Sequence, residues 1–74
     1  MIAFTDYPIA ELGDSPNKNA PIRKCRALSY DGDKYCQIEV EGVRKEIKAG
    51  YIYLLPGRYG EVPPINPEEL INEH

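Results

Sequence analysis

Cys25, Cys36 and His74 carry the most reactive side chains in this sequence. A structural zinc site takes four nitrogen or sulfur ligands, usually with cysteines paired two to four residues apart. Cys25 and Cys36 are not spaced that way, and the one imidazole stands at the last position. No metal site is expected. Nucleophilic catalysis needs a base to take the proton, and Ser29, Cys25 and Cys36 have no internal histidine to do so. The acid pairs Asp31/Asp33 and Glu68/Glu69 are the right residue types for general acid–base work. However, the first pair brackets a turn glycine and the second opens a helix, so local structure accounts for both. Gly57-Arg58-Tyr59-Gly60 lacks the lysine and the strand–loop–helix setting of a phosphate loop. The expected chemistry is recognition, with no catalytic residue and no cofactor.

Recognition has better material. The chain carries six tyrosines, one phenylalanine and no tryptophan. Tyrosine joins an apolar ring to a polar tip, and tyrosine and arginine are enriched where binding energy concentrates. The candidate partner-binding residues are Lys24, Arg26, Leu28, Tyr30, Tyr35, Arg44, Arg58 and Tyr59. Whether they are displayed depends on the strands that hold them.

Ile22 to Tyr30 and Lys34 to Val40 read as two strands around Asp31-Gly32, a favoured two-residue hairpin pair. That turn would set Tyr30 opposite Asp33, Leu28 opposite Tyr35, Ala27 opposite Cys36 and Cys25 opposite Ile38. Cys25, Ala27, Cys36, Ile38 and Val40 would then share the core face. Lys24, Arg26, Leu28, Tyr30, Tyr35, Gln37 and Glu39 would share the outer one. A slip of one residue would exchange the faces and destroy this match. The cysteines come out as diagonal neighbours, roughly 7–8 Å apart, and bridging fails beyond about 7 Å between Cα atoms. Buried free thiols are therefore expected. Leu28, Tyr30 and Tyr35 would form an exposed cluster edged by arginines, unless a terminal segment covers it.

Glu41-Gly42 reads as a second tight turn, aligning Val40 with Val43, Glu39 with Arg44 and Cys36 with Ile47. It also puts Lys45 on the inner face, which calls for a bulge or a place near a barrel mouth. The alternative is a short helix over Val43 to Ala49, closed by Gly50. Lys48 to Gly50 reads as a bend, Tyr51 to Leu55 as a strand and Pro56-Gly57 as a turn. Pro63, Pro64 and Pro67 exclude a central strand around them. Asn66 then caps a helix with Pro67 in its first position and Glu69 three residues past the cap. At the other end, Ile2 to Thr5 suits a short strand. Asp6 could cap a helical turn over Pro8 to Leu12, with Gly13 as its stop.

The expected fold is mainly β: a small curled antiparallel sheet or a five-stranded barrel, with a short C-terminal helix. It would be one domain over 1–74, with an irregular segment 1–21, a β core 22–62 and a Pro-rich tail 63–74. This order of short strands, tight turns and terminal helix resembles, in outline, the small Tudor- and KOW-like barrels. No diagnostic motif accompanies the resemblance, and a fold does not carry a function.

Cores below about 70–80 residues are marginal. With metal and disulfide set aside, a partner subunit is the remaining support, a second copy of the chain among the options. No apolar run approaches the ~20 residues of a membrane span, and the N-terminus lacks the basic start of a signal peptide. The expectation is a soluble, cytoplasmic protein with no membrane partner. The net charge of −3 is uneven: residues 1–17 sum to −3, 18–48 to +3 and 49–74 to −3. The expected function is a small non-catalytic protein-interaction module (adaptor, inhibitor or accessory subunit) that binds through a Tyr/Arg-rich strand face. The other reading is a nucleic-acid-binding barrel. In it, Lys24, Arg26, Arg44 and Lys48 meet phosphates while Tyr30, Tyr35 or Tyr59 stacks on bases. The isoelectric point near 5.0 counts against it, since dedicated binders usually exceed about 9.

Overall fold

The computed structural model describes residues 1–71. His74 and the end of the expected helix lie outside the described residues. Four strands form one sheet: β1 (Ile2–Thr5), β2 (Arg23–Tyr30), β3 (Tyr35–Val40) and β4 (Val43–Lys48). Their spatial order is β1-β2-β3-β4, and every neighbouring pair is antiparallel. The sheet does not close, so the open-sheet expectation holds and the five-stranded barrel does not. Short 3-10 turns at Ala10–Leu12 and Ala49–Tyr51 and the helix α1 (Glu68–Ile71) complete the regular structure. No helix among the described residues is long and apolar enough to cross a membrane.

The second hairpin follows the sequence reading. Glu41 and Gly42 take φ of 49° and 84°, the two positive values that a type I′ pair requires. Val40 faces Val43, Glu39 faces Arg44 and Cys36 faces Ile47. Val43–Lys48 is thus a strand and not a helix. Lys45 faces Ile38 on the inner side, with neither a bulge nor a barrel mouth to relieve it. β4 lies at the edge of the sheet, so the aliphatic stem can cover the core while the ammonium reaches out. Lys45 Nζ sits 3.0 Å from Glu11 Oε1.

The first hairpin corrects the expected register. Arg26 faces Glu39 and Ala27 faces Ile38; beyond a bulge at Leu28, Ser29 faces Gln37 and Tyr30 faces Cys36. The bend is a loop over 31–34 and not a two-residue turn. Its cause is the Asp31 carboxylate, whose Oδ1 accepts N–H groups from Asp33, Lys34 and Tyr35 at 2.8, 3.0 and 3.2 Å. An aspartate that satisfies three backbone donors favours this wider loop over the tight alternative. The register is displaced by two positions as far as Ala27, an even number, so each face keeps its members. Cys25, Ala27, Cys36, Ile38 and Val40 are all buried. The bulge adds an odd residue, and Tyr30 crosses to the inner side, where it packs on the core. The cysteines are not diagonal neighbours, because Cys36 faces Tyr30 and Cys25 faces Ala3. Both are buried free thiols.

One face of the sheet is covered by the chain before β2 and after β4. Ile9, Ala49, Ile52 and Ile65 join Ile38, Val40 and Ile47 in a single apolar cluster, with Tyr7, Tyr30 and Leu70 packed against it. The expected strand Tyr51–Leu55 shrinks to one residue. Tyr53 bridges Phe4 on one side and Pro64 on the other. Pro63 and Pro64 have no N–H to extend a ladder, and Leu54 and Leu55 lie exposed.

Asp6 does not cap the first helical turn. Ile9 occupies the cap position without a side-chain cap of its own; its N–H donates to Asp14 Oδ2 at 2.7 Å. Gly13 ends the turn in the left-handed region, as expected. The α1 cap is also as expected, with Glu68 N–H donating to Asn66 Oδ1 at 3.2 Å and Glu69 N–H to the Asn66 carbonyl at 3.0 Å.

Candidate binding surfaces

Strand alternation sends Ile2, Phe4, Lys24, Arg26, Tyr35, Gln37, Glu39, Arg44, Glu46 and Lys48 to the outer side of the sheet. None of them is buried. One row crosses all four strands in register: Ile2, Arg26, Glu39, Arg44. Four cations (Lys24, Arg26, Arg44 and Lys48) stand here against two acids (Glu39 and Glu46), an excess of two positive charges on a chain whose net charge is −3. Arg44 Nε is 3.9 Å from Glu39 Oε1, too far for a hydrogen bond. A shallow hollow of about 430 Å³ lies beside Ile2, Lys24, Arg26 and Glu39. Ile2 is 55% exposed and Leu28, at the bulge, 36%.

Five of the sequence candidates therefore belong to this side: Lys24, Arg26, Leu28, Tyr35 and Arg44. Tyr30 does not join them. Its hydroxyl donates to the Asp33 carbonyl at 2.5 Å, and its ring lines a groove at the other side of the first hairpin. Burial raises its phenol pKa, helped by the charges of Asp31, Asp33 and Glu68.

That groove is the second surface. Tyr30, Tyr51, Tyr59, Pro64 and Pro67 line a hollow of about 400 Å³. A neighbouring hollow of about 380 Å³ runs past Tyr53, Gly60 and Val62. The two share Gly50, Tyr59 and Pro64. The Tyr51 and Tyr59 rings stack at 4.7 Å between centroids with 26° between planes, and Tyr7 meets Tyr51 edge-on at 5.3 Å. Tyr59 remains 61% exposed.

Asp6 positions this wall. Its Oδ1 accepts the Tyr53 hydroxyl at 2.5 Å and its Oδ2 accepts the Tyr59 N–H at 3.1 Å. Arg58 Nη1 donates to the Ala20 carbonyl at 2.8 Å and lies 3.9 Å from Asp6 Oδ2. Arg58 is thus a tie between loops, with its side chain 34% exposed, whereas its neighbour Tyr59 is displayed. Tyr53 is 1% exposed; burial, then the Asp6 contact, raises its phenol pKa well above the ordinary value of 10.

Reading residue by residue missed Tyr51, Gly50, Pro64 and Pro67. The available signal was compositional: three tyrosines and four prolines fall between positions 51 and 67. As for reactivity, burial pushes both thiols up to about 11, so neither is a ready nucleophile at neutral pH. Among the described residues, no three His, Cys, Asp or Glu side chains come together to hold a metal ion. No protein-family model, curated protein or solved structure matches the chain.

Proposed function

We propose that this chain is a small non-catalytic protein-interaction module whose outer sheet face docks on an acidic surface of a protein partner. The observation that carries the reading is charge sorting: an acidic chain presents an excess of cations on its uncovered sheet face, interleaved with Ile2, Phe4, Leu28 and Tyr35. Apolar and aromatic side chains among arginines make the composition of a hot-spot patch. Complementary charge would then set orientation and encounter rate more than raw affinity. Two unpaired thiols suit a reducing compartment such as the cytoplasm.

The same four cations favour a second reading, nucleic-acid binding with phosphates on Lys24, Arg26, Arg44 and Lys48. Affinity capture with wild type, Arg26→Glu and Tyr35→Ala as baits, each with and without nuclease treatment, separates the two. The protein reading expects an acidic protein that survives nuclease and is lost with both variants. Purified, it should bind wild type at least tenfold more tightly than either variant and weaken only mildly with salt. Both substitutions sit on exposed or half-buried surface and should leave melting nearly unchanged. Capture that disappears with nuclease, paired with steep salt dependence toward a labelled oligothymidine, establishes the nucleic-acid reading instead. Partners held equally by all three baits would remove the outer face from consideration.

A further inference from the structure

The groove between the Asp31 loop and the Gly57–Gly60 segment shares only Lys48 with the outer face, and its chemistry differs. Three tyrosines and two prolines give it a wall of flat, stiff rings with little conformational entropy to lose on binding. It consists of two adjoining hollows of similar size that share Gly50, Tyr59 and Pro64 in their linings. Gly50 lies beside the Tyr59 ring, whose Cε2 would be in ordinary contact, 3.9 Å, with a Cβ there.

Two ring-lined hollows side by side fit a polyproline II segment. That helix has three residues per turn and rises about 3.1 Å per residue, so prolines three apart fall on one side. They can enter neighbouring aromatic hollows, the mode by which proline-rich segments are generally read. The segment is preformed in solution, so little ordering entropy opposes docking.

Charge selects the flank. Asp33 lines the Tyr30 end of the first hollow, and Asp31 and Glu68 lie near enough to act on the Tyr30 phenol. Lys34 also lines the hollow, but its ammonium is turned to the Tyr35 ring, 5.5 Å from the centroid. Lys48, which pairs with Tyr35 across the strands, lines the hollow as well. Around Tyr30 the three acids Asp31, Asp33 and Glu68 thus outnumber the two lysines, Lys34 and Lys48.

We propose that this groove binds a proline-rich peptide in the polyproline II conformation, with an arginine or lysine beside the prolines that pairs with Asp33. The site shares Lys48 with the outer face and otherwise stands apart from it.

The test uses the full chain, isotope-labelled, titrated with the peptide Arg-Pro-Pro-Val-Pro-Pro-Arg. The controls are the same peptide with glutamate flanks, a Gly/Ser peptide with arginine flanks, and oligothymidine. The arginine-flanked proline peptide should shift the amide resonances of Tyr30, Gly50, Tyr51, Tyr59 and Ile65 in a saturable way, and bind at least fivefold more tightly than the glutamate-flanked one. Tyr59→Ala, at an exposed position, should reduce affinity tenfold or more. Asp33→Lys should abolish the preference for arginine flanks, and Arg26→Glu should leave binding unchanged. The proposal is overturned if no proline peptide shifts these resonances, if the Gly/Ser peptide binds as well, or if oligothymidine alone shifts them. A preference for glutamate flanks overturns the assignment of the basic residue.

Discussion

Replacing Tyr53 by phenylalanine removes one oxygen from the centre of the loop assembly and leaves the ring in place. The hydroxyl donates to Asp6 Oδ1 at 2.5 Å, and the Asp6 side chain is 12% exposed. The other Asp6 oxygen keeps the Tyr59 N–H, so the substitution strips Oδ1 alone. Hydrogen bonds to charged groups contribute roughly 1.5–3 kcal/mol. No cavity term adds to this because the ring volume is kept, and some water reaches Asp6, so a loss of about 1.5–2.5 kcal/mol is expected. For a domain of this size each kcal/mol moves the melting temperature by roughly 4–8 °C. The drop should then lie at about 6–20 °C, read by circular dichroism melts at neutral pH. The alkaline side has its own sign. The folded phenol keeps its proton well above 10, while the unfolded one ionises near 10. Its contribution is therefore fully present below about pH 10 and lost as pH rises further. Tyr53→Phe should remove that part of the alkaline decline. A melting temperature within about 2 °C of wild type would show that water replaces the hydroxyl without cost and that Asp6 does not organise the groove wall.

Gly57→Ala should destabilise by about 1–3 kcal/mol through overpacking. A Cβ at Gly57 would lie 3.0 Å from Val62 Cγ2 and closer still to Cγ1. Adding Val62→Ala should recover part of the loss in urea titrations. Alkylation without reductant should label both cysteines in the unfolded protein and neither in the native one. Folded thiols held to about 11 against an ordinary 9 make stability fall as pH climbs from about 9 to 11, and Cys25→Ala/Cys36→Ala should flatten that stretch. On the acid side, the Arg23 guanidinium and the Ile9 N–H hold the Asp14 carboxyl down to about 2 from 3.8. The stability it supplies is complete above about pH 4 and disappears as pH falls through 2, a decline that Asp14→Asn should reduce.

Hydrophobic alternation made the two faces of β2, β3 and β4 legible, because parity survives a register change of two. It could not supply the register itself. The Asp31 carboxylate competes for three backbone N–H groups, and that competition is invisible to a rule that sees Asp-Gly and expects a two-residue turn. The bulge at Leu28 is the matching adjustment. It carried Tyr30 away from Leu28 and Tyr35, and so split one expected display cluster into two surfaces. The Glu41-Gly42 turn has no such competitor, and its two-residue register is the one the strands adopt. Strand propensity is the only signal that favours a strand over Tyr51–Leu55. That propensity lost to the two prolines that its neighbour presents as pairing partners.

The uneven charge of the sequence has a structural cause. Each acid of residues 1–17 has an internal partner: Asp6 takes the Tyr53 hydroxyl and the Tyr59 N–H, Glu11 meets Lys45, and Asp14 takes the Arg23 guanidinium through contacts of 2.5 and 2.9 Å. A core this small cannot hold a long irregular segment by apolar contact alone, and these acids fasten it instead. They draw on cations that face inward or lie at the edge. Arg23 is 15% exposed and Lys45 28% at the side chain. The bases with the opposite parity, Lys24, Arg26, Arg44 and Lys48, remain on the outer face. Strand alternation thus sorts one basic segment into structural and displayed sets. Removing Asp14 or Glu11 should cost stability and leave binding at the outer face intact. Removing Arg26 or Arg44 should alter binding and leave melting intact. If instead the same variants changed both, the two sides of the sheet would be coupled, and the assignment of the outer cations to a partner would have to be abandoned.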